Sequence, residues 1–303
     1  MFEYPKTAII ILNFNSYNQT IECIESVKNI TYPNYEIIVV DNNSKDDSLQ
    51  LIKSSFPGII LLKSEDNLGY ASGNNLGIKY ALDENIEYIC ILNNDAAVDK
   101  NFLQPVIKTL IDDKKAAAAG PSICYYGQDD IIQAMGGNIN LYTGLSSLKF
   151  KGKKHSEIKE SLISVDYLGG ACFVVKADIL KKIGLIPENY FLFYEETEFF
   201  LNIKRQGYRL ISVRDSKVYH KVSGTISKYK GLSYFFLNRN RILFVRRNAK
   251  LYHKFFFFFY IIIETIGRMI LRGELSLFKY YYEGLKADKN KINKDEIKKF
   301  IKN

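Results

Sequence analysis

Short apolar runs closed by polar clusters alternate with stretches of helical period along the first hundred residues. Residues 7–12 form a continuous β-branched run that stops at Asn13-Phe14-Asn15-Ser16, and Ile21, Ile24 and Val27 then recur at helical spacing. After Pro33 a second run, residues 36–41, finishes on the carboxylate of Asp41. Asp41-Asn42-Asn43-Ser44 reads as an N-cap for a helix with Asp46 and Asp47 in its first turn, reaching Ile52. Residues 58–62 make a third strand, and Asn67-Leu68-Gly69-Tyr70-Ala71-Ser72-Gly73-Asn74-Asn75 is a glycine-rich turn into a helix through Leu82. Residues 88–92 are a buried strand that ends abruptly in Asn93-Asn94-Asp95. Strands alternating with helices at this spacing predict βαβ units and a mostly parallel sheet, whose ligand site lies beyond the carboxyl ends of the strands.

The second half is less regular. Residues 103–111 predict a helix and 116–121 a short strand across the sheet. Residues 122–165 carry scattered glycines and a basic patch at 149–154, the pattern of a substrate-facing insertion with mobile parts. Residues 165–175 predict one strand interrupted by Gly169 and Gly170, which permit close backbone approach to a ligand. Glu195, Glu196 and Glu198 stand in an aromatic setting just before a helix that runs to Gly207. Acidic residues suit a helix first turn by its dipole alone; equally, a carboxylate flanked by aromatics and a second carboxylate has the raised pKa of a general base. A strand at 209–213 and then His220, one of three histidines, follow.

Charge divides the chain. The net +9 comes from residues 226–303, which hold 18 Lys/Arg and 6 Asp/Glu (18 − 6 = +12), leaving −3 (24 − 27) for residues 1–225. The basic residues of the tail are mixed with Phe and Ile rather than set on a reading helix, which argues against nucleic acid as a partner. The uninterrupted apolar run at 255–263 is nine residues long, cut short by Glu264. That is well under the roughly 20 residues of a spanning helix. A helix lying in the membrane interface through residues 250–275, with basic residues on anionic headgroups, is the favoured reading. Packing on the catalytic domain or a second subunit, as in a homodimer, is the alternative. Cys23, Cys90, Cys124 and Cys172 form no C-x-x-C pair and read as buried, reduced thiols of a cytosolic protein. The start of the chain reads as a core strand rather than a signal peptide. Neither a G-x-G-x-x-G turn after the first strand nor a Walker A loop occurs, so phosphate is expected on a metal at Asp95 rather than in a glycine cradle.

In order, Ile-Leu-Asn-Phe-Asn-Ser (11–16), Val-Val-Asp-Asn-Asn-Ser (39–44), the 67–75 turn, Leu-Asn-Asn-Asp (92–95), Tyr-Glu-Glu-Thr-Glu (194–198) and His-Lys-Val-Ser-Gly-Thr (220–225) resemble the inverting family 2 glycosyltransferases, above all their rhamnosyltransferase-like members. The likeness spans about residues 5–247. It implies an α/β GT-A fold, Rossmann-like, with a mostly parallel sheet flanked by helices. The catalytic domain would be 1–247, with a nucleotide-binding half (1–100) and an acceptor-binding and catalytic half (101–247), followed by a basic, aromatic helical extension at 248–303. By position, Asp41 would contact the base or ribose of a dTDP- or UDP-sugar, with Asn13, Asn15, Asn67, Gly69, Gly73, Asn74 and Asn94 near the donor. Asp95 would ligate Mg2+ or Mn2+ with His220, Asn93 standing at the motif's other acidic position. Glu196 would be the base with Glu195 beside it, and Gly169, Gly170 and Tyr194 would face a glycan or lipid-linked acceptor. The implied activity is sugar transfer in cell-surface polysaccharide synthesis, on the inner face of the membrane. A nucleotide-sugar binder without catalysis is the rival reading.

Overall fold

The computed structural model describes residues 3–221 and 231–288. Its first half follows the alternation in the sequence: β1 (Thr7–Asn13), α1 (Tyr17–Lys28), β2 (Tyr35–Asp41), α2 (Ser48–Ser55), β3 (Ile60–Lys63), α3 (Tyr70–Asp83) and β4 (Tyr88–Asn93). Strands β3, β2, β1 and β4 lie side by side and parallel. A parallel sheet must be covered on both faces, which is why its strands are apolar throughout yet still alternate. Ile9 and Ile11 enter one core with Cys23, Ile24 and Val27 of α1. Ala8 and Ile10 enter the other with Ala71, Ile78 and Ala81 of α3. Two boundaries differ from expectation. Helix α2 begins at Ser48, because Asp41 Oδ1 accepts the N–H of Ser44 and turns the chain before the helix. Strand β3 starts at Ile60, two residues late.

The second half extends the sheet with mixed strands: β5 (Ala96–Val98), α4 (Leu103–Asp112), β6 (Ala116–Tyr125), β7 (Gln128–Ala134), β8 (Gly137–Asn140), β9 (Leu145–Leu148), β10 (Leu162–Val165), β11 (Cys172–Lys176), α5 (Ala177–Ile183), α6 (Glu195–Arg205) and β12 (Arg209–His220). The main sheet runs β10-β12-β6-β11-β4-β1-β2-β3, with β5 on β12 and β7 on β6. Three expectations are corrected here. Strand β6 is ten residues rather than a short crossing, because its alanines pack between β11 and β12. Residues 122–165 are more regular than the sequence suggests: β7 pairs with β6, β8 with β9, and β10 with β12. Residues 165–175 are not one strand, since β10 ends at Val165 and β11 starts at Cys172 on the far side of β6, with Gly169 and Gly170 in the loop between. All four cysteines are buried and free.

Helices α7 (Leu232–Asn248), α8 (Leu251–Arg272) and α9 (Ser276–Lys286) complete the described chain. Helix α7 is buried around most of its circumference, including Arg239, Asn240 and Arg241. It shares a core cluster with Tyr190 on one side and with Phe257 of α8 and Leu277 and Tyr281 of α9 on the other. The Arg241 guanidinium makes a two-pronged pair with Glu264 of α8, at 2.9 and 2.8 Å, so burial of that charge is compensated. Tyr142, between β8 and β9, packs edge-on against His253 and Phe256 of α8. No helix among the described residues is long and apolar enough to cross a membrane.

Candidate active site

At the carboxyl ends of the parallel strands lies a cavity of about 700 Å³, walled by the ends of β1 and β4, the 67–70 turn, the 167–171 loop, the 191–197 segment and His220. Its floor is fixed by a chain of hydrogen bonds between strand ends. Asn94 donates to Thr20 Oγ at 2.9 Å, Thr20 donates to Asn13 Oδ1 at 2.8 Å, and Asn13 Nδ2 donates to Asp41 Oδ2 at 2.9 Å. Asp41 is only 1% exposed. Asn42 next to it does line the cavity and donates to Asn67 Oδ1 and to the Gly69 carbonyl.

One wall is built by strand pairing. Antiparallel β5 and β12 set His220 opposite Ala96, which carries its ring to Asp95 across 125 residues of sequence. His220 Nε2 lies 3.0 Å from Asp95 Oδ1, yet that buried oxygen makes no hydrogen bond among the described residues. The other ring nitrogen, Nδ1, is 2.9 Å from Gln133 Oε1 of β7, an oxygen that can only accept. With a proton on Nδ1 donated to Gln133, the Nε2 lone pair and the Asp95 carboxylate face the same space. Two adjacent acceptors with an outer partner orienting the ring fit a divalent cation. Among the described residues no group of three or more His, Cys, Asp or Glu gathers to hold one, so the remaining ligands of a bound cation would come from diphosphate and water.

The opposite wall is made by the segment before α6. Phe191, Phe193 and Tyr194 all have left-handed backbone, with φ of 69°, 67° and 77°. Each such residue costs on the order of 1–2 kcal/mol, so other contacts must hold the segment. Phe191 O accepts the Tyr70 N–H at 2.9 Å, and Gly69, itself at φ 97°, leaves the room this needs: a Cβ there would sit 2.2 Å from Phe191 O. The segment delivers Glu195 and Glu196 as the first residues of α6. Glu196 lies against Gly170, where a Cβ would fall 2.2 Å from Oε2. Burial pushes Glu196 up to about 7, the Tyr70 hydroxyl opposing, and burial with the charge of Glu196 pushes Glu195 up to about 8. Glu195 Oε2 and Glu196 Oε1 are buried without a hydrogen-bond partner among the described residues. Glu198, one turn on, differs. Burial pushes it up, but the Arg247 fork, with Nη2 at 2.7 Å, the Tyr190 hydroxyl and the Asn248 amide outweigh burial and hold it below the ordinary value.

Of the residues singled out in the sequence, Asn67, Gly69, Asn94, Asp95, Gly169, Gly170, Tyr194, Glu195, Glu196 and His220 come together around the cavity. Asn13, Asn15, Asp41, Gly73 and Asn74 do not line it. Asn13 and Asp41 are spent on each other and on Ser44, and Asn15 shapes the 43–45 turn by accepting the Lys45 N–H. Gly73 makes room for Leu12 beneath α3, and Asn74 bonds back to Tyr70 O. His220 opens the motif at 220–225, of which residues 222–225 lie outside the described residues. Sequence reading missed Asn42, Tyr70 and Gln133. The first two sit inside the quoted motifs and were within reach; Gln133 has no local signal.

A sequence model of glycosyl transferase family 2 matches residues 8–184. A low-salt glycan biosynthesis hexosyltransferase of Haloferax volcanii is 28% identical over 202 residues, 66% of this chain and 62% of that protein. A dTDP-rhamnosyl transferase of Shigella flexneri is 20% identical over 250 residues, 79% of each. Among solved structures, GalNAc-T7 with UDP, GalNAc and Mn2+ superposes with a TM-score of 0.67 at 18% identity, over 84% of this chain and 50% of that one. The mannosyltransferase of Pyrobaculum calidifontis in complex with GDP-Man and Mn2+ gives 0.58 at 15% identity, over 94% and 80%. At such identities the likeness establishes the GT-A fold. The chain spans less than two thirds of the Haloferax protein and half of the GalNAc-T7 chain.

A stability prediction follows from the carboxylates. The folded state holds protons on Glu195 that the unfolded chain releases near 4.5, so stability falls as pH rises from there to about 8. Glu195→Gln removes that loss. Its melting temperature should exceed wild type clearly at pH 8 and match it at pH 4.5, since a pKa raised from 4.5 to about 8 is worth several kcal/mol at the higher pH. Equal offsets at both pH values would contradict the assignment.

Proposed function

The chain belongs to glycosyl transferase family 2, and from that premise we propose that it transfers a hexosyl group, rhamnose or another hexose, from a nucleoside-diphosphate sugar to an acceptor hydroxyl with inversion. The observation that carries this reading is the pair of facing walls: Glu196 with a raised pKa and a buried oxygen that has no hydrogen-bond partner among the described residues on one side, Asp95 and His220 on the other. Glu196 takes the proton of the acceptor hydroxyl as that oxygen bonds to the anomeric carbon. The bond from that carbon to the diphosphate breaks, and its electrons leave with the nucleoside diphosphate. Mg2+ or Mn2+, held by Asp95 and His220 when bound, would supply positive charge against the departing diphosphate. Tyr70 and the Gly170 backbone place the base, and its burial keeps it poised near neutral pH. Asn42, Asn67 and Gly69 border the donor side. The name of the Shigella flexneri relative supports a dTDP-sugar, and the UDP bound to GalNAc-T7 supports a UDP-sugar. The acceptor is a glycan or lipid-linked saccharide of cell-surface polysaccharide synthesis.

We also propose that α8 and α9 rest on the cytoplasmic face of an anionic membrane. Phe255, Phe258, Ile263, Ile270 and Leu271 are 59–83% exposed, far more apolar surface than single exposed residues explain. The exposed charges beside them are mostly basic: Lys250, Arg272, Lys279 and Lys286. Aromatic insertion with cations at the headgroups is the chemistry of an interfacial helix.

Two outcomes check these readings. Glu196→Gln should lower sugar transfer by about 10²–10⁴-fold while nucleotide binding in calorimetry is kept; near-normal turnover would sink the assignment of the base. In flotation, Phe255→Ser/Phe258→Ser should detach the protein from vesicles containing phosphatidylglycerol without altering transfer to a water-soluble acceptor. Undiminished flotation, or a dimer that the same change dissolves, would overturn the membrane reading in favour of other contacts.

A further inference from the structure

We propose that Asn240, in the middle of α7, is a positioning residue for the reaction: it holds residues 190–194 in the conformation that presents Glu196 to the cavity. The inference rests on the reading of Glu196 as the base. Asn240 is fully buried, and the two protons of its Nδ2 are shared among three backbone carbonyls of that segment, Tyr190 O at 3.0 Å, Leu192 O at 2.8 Å and Phe193 O at 3.0 Å. Its Oδ1 accepts from Arg239 Nη1 at 2.7 Å, which fixes the amide the right way round. The three carbonyls interleave with the left-handed residues Phe191, Phe193 and Tyr194, so one side chain satisfies the carbonyls that this irregular backbone turns inward. A second clamp from the same helix, the fork of Arg247 on Glu198, grips α6 two residues beyond the base. Asn240 itself does not line the cavity. Its effect on chemistry passes through the segment, which is anchored on the other side by the Tyr70 N–H and the space at Gly69. The base therefore depends on a helix that begins almost forty residues after it in sequence.

The test is steady-state transfer by Asn240→Asp, which keeps the shape but sets carboxylate oxygens against three carbonyls, and by Asn240→Gln, which keeps the donors on a longer arm. Misplacing the base predicts a fall in kcat of about 10²-fold in Asn240→Asp, with the donor KM changed by less than about threefold, and partial recovery of kcat in Asn240→Gln. A folded Asn240→Asp with kcat within about twofold of wild type would overturn the proposal, as would equal losses in kcat and donor affinity. Loss of a cooperative melting transition in both variants would also overturn it, in favour of a purely structural role. Glu196→Gln in the same assay keeps the two readings apart. If it is inactive while Asn240→Asp is normal, only the positioning role falls; if it is active, the assignment of the base itself has failed.

Discussion

The structure turns on the burial of two adjacent carboxylates at the end of a strained segment. Desolvation raises Glu196 to about 7, as the proposed base requires, and the same desolvation, together with three left-handed residues, works against folding. The rest of the molecule offsets that cost locally. Tyr70 and Gly69 hold the segment from α3, Asn240 holds it from α7, and Glu198 is locked by Arg247 and Asn248. Glu198 shows what the neighbouring carboxylates lack. With an arginine fork it lies below the ordinary value, whereas Glu195 and Glu196, which have no cationic partner among the described residues, lie above it. One turn of helix thus carries carboxylates of opposite character, Glu198 held below the ordinary value and Glu195 and Glu196 raised above it.

Across the cavity the logic is complementary. Asp95 and His220 are brought side by side by the pairing of β5 with β12, and Gln133 holds the imidazole at its outer nitrogen. Open acceptors on both walls suit two different visitors: a cation on the Asp95 side and a hydroxyl donor on the Glu196 side. The fold keeps these walls apart by hanging one on the end of β4 and the antiparallel β5–β12 pair and the other on α6 and α7.

Much of this was legible in the chain. The parallel half could be read because its strands are apolar on both faces and stop sharply at Asn13, Asp41 and Asn93. The second half could not, because β8 to β10 are only four residues long, β7 to β10 are largely exposed or half-buried, and β10 finds its partner β12 only at a distance in sequence. At the site, Glu196, Asp95 and His220 carried local signals in residue type and setting. Asp41 and Asn13 carried the same kind of signal, yet the structure buries them against each other, a choice that no spacing in the chain reveals. Asn240 and Gln133 act through backbone or through another side chain, so nothing around them in sequence announced their partners. The tail was half legible: its aromatic run predicted an exposed apolar helix, but not that α7 behind it would be the support of the catalytic segment.

The most direct test of the account is the pH dependence of kcat/KM for sugar transfer at saturating divalent cation. Glu196 must be ionised to accept a proton, and burial has moved it up to about 7, so the rate should rise through an inflection near neutrality and level off above it. A profile already flat from about pH 5.5 upward, as an ordinary solvated carboxylate would give, would contradict the claim that burial on a strained segment makes the base.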